Sequence, residues 1–60
     1  MAEAETVAVV EGPKGSAKII EIWSEGRLIE HQVEMDGVKT AAANLGDAYI
    51  IAGEKVGKHT

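Results

Sequence analysis

Ile19-Ile20-Glu21-Ile22-Trp23-Ser24-Glu25-Gly26-Arg27-Leu28-Ile29-Glu30-His31-Gln32-Val33-Glu34-Met35-Asp36-Gly37-Val38 holds the pattern that decides the fold. Two turn signals, Glu25-Gly26 and Asp36-Gly37, each sit between runs in which apolar and polar residues alternate. Glycine supplies the positive φ that tight hairpin turns need, and Asp-Gly is among the preferred pairs for a two-residue loop. The pattern predicts an antiparallel β-meander, with strands over Ala17–Ser24 and Arg27–Met35 and a further one starting at Val38.

Pairing residues across Glu25-Gly26 sets Ser24 against Arg27, Ile22 against Ile29, Ile20 against His31 and Lys18 against Val33. One face then collects Ile20, Ile22, Ile29, Val33 and Met35 as the expected core. Trp23 and Leu28 meet on the other face, with Ile19 on the same side and Glu21 opposite Glu30. A slip of one residue would scatter the apolar set. Across Asp36-Gly37 the expected pairs are Met35 with Val38, Glu34 with Lys39 and Val33 with Thr40.

Working outward, Thr6–Val10 is a β-prone run, separated from Ala17 by Gly12-Pro13-Lys14-Gly15, a turn sequence that closes a first hairpin. That hairpin sets Val10 near Ala17 and Val7 near Ile20. Residues Thr40–Leu45 have helix propensity, with Thr40 as a cap and Gly46 as a stop. A longer helix over Ala41–Ala52 would carry Gly46 in its interior, which costs about 1 kcal/mol. The preferred reading is a strand or short helical turn near 40–45, then a last strand over Ala48–Ala52. The fold class is therefore mainly β: a small antiparallel meander of four to five strands. Residues 1–60 form one domain, with 1–4 and 57–60 expected to fray.

Sixty residues without cysteine exclude a disulfide framework. Only two histidines are present, which leaves no structural zinc site and no metal set. A chain of this size is marginally stable alone, so a partner chain is a natural source of stability. The net charge of −4 and scattered basic residues lack the basic stripe of a nucleic-acid binder. The same charge disfavours an anionic membrane surface, and no apolar run approaches a membrane span. The acidic start and the absence of cysteine set a cytoplasmic location as the expectation.

Catalytic chemistry finds little support. His31 falls on the expected apolar face, with no carboxylate or nucleophile placed beside it by the pattern. Glu30 and Glu34 belong to the solvated face of a sheet, and Ser16 and Ser24 sit at turns. The sequence Gly53-Glu54-Lys55-Val56-Gly57-Lys58-His59-Thr60 lacks the spacing of a phosphate-binding loop. No catalytic residue and no cofactor is assigned.

The composition and pattern favour a non-catalytic structural or interaction protein, either a homo-oligomer or an accessory subunit docked on a larger complex. Its expected interface is Trp23, Ile19 and Leu28, on the sheet face away from the expected core. The alternative is a small-molecule or effector-binding module between subunits, with His31, Lys55 and Lys58 as ligand contacts.

Overall fold

A computed structural model of the chain describes residues 2–58. Four strands, β1 (Ala2–Gly12), β2 (Gly15–Ser24), β3 (Arg27–Met35) and β4 (Val38–Ala42), form an antiparallel sheet in the order β1-β2-β3-β4. One helix, α1 (Leu45–Lys55), packs across a single face of that sheet. The meander is as expected, with four strands.

Both expected turns are present, and each has positive φ at both central residues. Glu25 and Gly26 lie at 53° and 77°, Asp36 and Gly37 at 54° and 80°. That is the type I′ geometry whose twist matches the flanking strands. The β3–β4 register is also as expected: Met35, Glu34 and Val33 face Val38, Lys39 and Thr40.

The β2–β3 register differs. Ser24 faces Arg27 and Trp23 faces Leu28, but Ile22 then faces Glu30, Ile20 faces Gln32 and Lys18 faces Glu34. Ile29 is left unpaired in a bulge, which shifts every later pair by one residue. A bulge inserts one residue without disturbing the alternation on either side, so the shift leaves both turns intact. A second bulge leaves Val7 unpaired between the Thr6–Ile20 and Ala8–Ile19 pairs.

The bulges exchange the faces. Ile19, opposite Val33, is fully buried, and with Ala17, Val33, Ala48, Ala52 and Val56 it forms the core. The face carrying Ile20 and Ile22 is the one without a helix. Ile20 is still only 7% exposed there, between Thr6 and Gln32 on the neighbouring strands.

Of the strand or short helical turn expected near 40–45, the structure has the strand, β4, which runs to Ala42, and the helix replaces the expected strand over Ala48–Ala52. Asn44 is the N-cap: its side-chain Oδ1 accepts the Asp47 backbone N–H at 2.8 Å. Asp47 Oδ2 in turn accepts the Ala43 N–H at 3.0 Å, so side chain and backbone cap one another reciprocally. Because the helix starts at Leu45, Gly46 lies in the first turn and not in the interior. Ala48, Ala52 and Val56 follow at intervals of four and present one buried stripe to the sheet.

The helix C-terminus is clasped from two sides. Gly57 has φ 78°, the Gly57 N–H donates to Glu54 O at 3.2 Å, and the Lys58 N–H donates to Gly53 O at 2.8 Å. This is a Schellman motif. The Lys14 N–H at the first hairpin turn donates to Val56 O at 2.9 Å, tying that turn to the helix end.

Ala2–Ala4 pair with Ser24–Ile22, and the Gly57 and Lys58 N–H groups close the helix end. Met1, His59 and Thr60 lie outside the described residues.

An eleven-residue helix is about 16 Å long, whereas the sheet extends along a molecule 37 Å in its longest dimension. The core residues all belong to the half nearer the Gly12–Gly15 turn. The other half, Ala2–Thr6, Glu21–Ser24 and Arg27–Ile29, lies outside that core.

Candidate functional site

Trp23 and Leu28, paired across β2 and β3, lie on the helix side of the sheet but outside the core. Leu28 is exposed and Trp23 partly buried. Ile19, expected beside them, is sealed under the helix and unavailable to a partner. The reason is that the helix covers the face that the alternation assigned to a partner.

His31 is buried, and Glu21 stands opposite it on β2. Its Nε2 lies 3.5 Å from Glu21 Oε2, so a carboxylate does neighbour the ring. The shifted register brings Glu21 there; in the expected register it faced Glu30. The other oxygen, Glu21 Oε1, accepts a hydrogen bond from Trp23 Nε1–H at 3.1 Å. One carboxylate thus holds the rings of Trp23 and His31, and both of its oxygens are engaged.

The adjoining hollow is lined by Leu28, Ile29, Glu30, His31, Ala41, Ala42, Ala43 and Asn44. It carries no hydroxyl or thiol to serve as a nucleophile. The His31–Glu21 contact orients the ring and gives buried polar groups a partner. Among the described residues, no group of three or more His, Cys, Asp or Glu side chains is placed to hold a metal ion.

Lys55 and Lys58 lie at the opposite end from His31. Lys55 lines a hollow with Lys14, Met35, Asp36 and Val38, and Lys58 lines another with Val9, Tyr49 and Ile50. The three expected ligand contacts therefore belong to three separate cavities. Known proteins offer no guide. The chain matches no family model, no curated protein and no solved structure.

Two features escaped the sequence reading. The first is the groove between β1 and α1, lined by Val9, Val10, Glu11, Tyr49, Ile50 and Gly53 among others, with a volume of about 600 Å³. The second is a hollow of about 650 Å³ formed by Glu3, Ala4, Glu5, Trp23, Glu25 and Gly26. Both border β1, an edge strand. Reading Ala48–Ala52 as a strand hid the first. The signal for it was the Asn44-to-Asp47 capping interval followed by small and apolar residues at 48, 52 and 56.

No helix is long and apolar enough to cross a membrane among the described residues.

Proposed function

We propose that this chain is a non-catalytic interaction protein that works by association with protein, as a homo-oligomer or as an accessory subunit of a larger complex. The observation that carries this reading is the incomplete cover of the sheet. One short helix seals half of one face, and Val7, Val9, Leu28, Ile29, Val38, Leu45, Tyr49 and Ile50 remain exposed. Single exposed apolar residues are ordinary, but this set is large for so small a surface and, apart from Val38 at the start of β4, follows the β1 edge, the helix flank and the outer half of the sheet.

The ligand-binding alternative gains no support, because His31, Lys55 and Lys58 are not brought together.

Sedimentation of the chain across concentration, alone and with proteins that co-purify with it, tests the reading. A stable complex of defined stoichiometry is expected. A chain that stays folded, monomeric and partner-free at high concentration overturns it.

A further inference from the structure

We propose that the outer edge of β1 accepts an extended basic segment of a partner protein as an added antiparallel strand. Lysine or arginine side chains of that segment sit against Glu3 and Glu5, and its apolar side chains enter the groove between β1 and α1. This rests on the association reading and names the partner's chemistry.

The backbone comes first. β1 is eleven residues long, borders only β2, and turns alternate peptide groups away from that neighbour. An uncovered strand edge is a template for another strand, and main-chain hydrogen bonds then supply affinity while side-chain hollows supply selectivity.

Those hollows lie along the same strand. Toward Gly12, the groove runs between β1 at Val10, which faces the helix side with Ala17, and α1 at Tyr49 and Ile50. Tyr49 is 48% exposed and Ile50 64%. Gly53, without a side chain, keeps the groove open between them. Toward Ala2, Glu3 stands opposite Trp23, and Glu5 stands opposite Glu21.

Charge decides the occupant. β1 carries Glu3, Glu5 and Glu11 and no lysine or arginine. Among the described residues no lysine or arginine lies within salt-bridge distance of these glutamates. A second copy pairing β1 with β1 would gather the glutamates of both strands in one seam, where like charges repel. A basic strand reverses that sign. A cation set against Glu3 also reaches the Trp23 ring, a favourable surface for it. From Glu3 to Val10 the strand accommodates a segment of about eight residues, roughly 27 Å when extended.

The probe is the synthetic peptide acetyl-Val-Thr-Val-Thr-Lys-Thr-Lys-amide, whose middle threonine spans the Val7 bulge, so that antiparallel pairing sets its valines against Val10 and Ala8 and its lysines against Glu5 and Glu3, all on one face. Nuclear magnetic resonance titration at low salt reads the backbone amides. Shifts confined to β1 and the α1 flank are expected, with affinity falling as salt rises. In the double variant Glu3→Lys, Glu5→Lys, affinity should fall about tenfold, since two favourable cross-strand pairs become repulsive. A peptide with glutamate in place of lysine should not bind.

Equal binding of the acidic peptide, shifts centred on β4, or no shift at millimolar peptide overturns the proposal. Shifts of β1 amides with protein concentration alone identify a second copy as occupant; they overturn this proposal and leave the association reading standing. The sedimentation experiment decides that broader reading separately.

Discussion

Gly12 lies so close to Val56 that a Cβ built on the glycine would stand 2.6 Å from the Val56 carbonyl oxygen. The same carbonyl accepts the Lys14 N–H, so backbone cannot retreat there without breaking the tie between the first hairpin and the helix. Gly12→Ala is therefore expected to destabilise the fold by about 1–3 kcal/mol, the range for forced overpacking. Urea denaturation measures it, and an unchanged midpoint refutes the close approach.

Gly53 gives the opposite expectation. Its added Cβ would meet Lys58 O at 3.5 Å, an ordinary contact, within a helix. Gly53→Ala should stabilise by up to about 1 kcal/mol from helix propensity alone. A lower thermal midpoint in the variant would contradict this. The added methyl also narrows the β1–α1 groove.

At the turn tips nothing lies within 4 Å of a Cβ built on Gly26 or Gly37, so space is not limiting there. Backbone conformation is, because φ near 80° strains a β-branched residue. Gly26→Val and Gly37→Val should each destabilise by about 1 kcal/mol or more. Glu25→Asn should stabilise slightly, since asparagine tolerates the left-handed region better than glutamate. Equilibrium unfolding of the three variants checks the order.

Asn44→Ala removes the acceptor for the Asp47 N–H and should lower stability by about 1 kcal/mol. Far-ultraviolet circular dichroism during unfolding distinguishes loss of the helix from loss of the whole sheet. A silent substitution would mean that Asp47 alone holds this end of the helix.

Trp23→Ala is expected to weaken assembly by about 2 kcal/mol if Trp23 anchors a partner, while the isolated chain keeps its β signature. Sedimentation of the variant with co-purifying proteins reads the effect. Undiminished assembly would remove Trp23 from the interface and leave the β1–α1 groove as the surface to test.

Much of this architecture was legible in the sequence. The bounds of β3, the start of β4 and both tight turns follow from glycine placement and alternation, because positive φ is a local demand that few residues meet. The faces were not legible. Ile29 and Val7 occupy bulges, and a bulge inserts one residue without altering the apolar alternation on either side of it. The helix was missed for a different reason. Ala48-Tyr49-Ile50-Ile51-Ala52 serves equally as a short buried strand, and the outcome turned on Asn44 and Asp47 satisfying the first helical N–H groups. The site depends on both: the unbulged register sets the buried Ile19 at an open interface and Glu21 away from His31, and a strand over Ala48–Ala52 keeps Tyr49 and Ile50 from the β1 groove.

Every strand in this sheet pairs only with its neighbour in sequence, whereas the Lys14–Val56 hydrogen bond joins the first hairpin to the end of the helix. Closing a hairpin involves a short loop, and closing the longer path carries more chain entropy. We expect the meander to assemble through successive hairpins and the helix to dock afterwards. Amide hydrogen exchange should then show α1 opening at a lower free energy than β2 and β3. Equal protection of helix and central strands would show a single cooperative unit. The clasp at Val56 gives a late-docking segment a defined landing place, and loosening it would leave a sheet whose Ile19 and Val33 are briefly open to water.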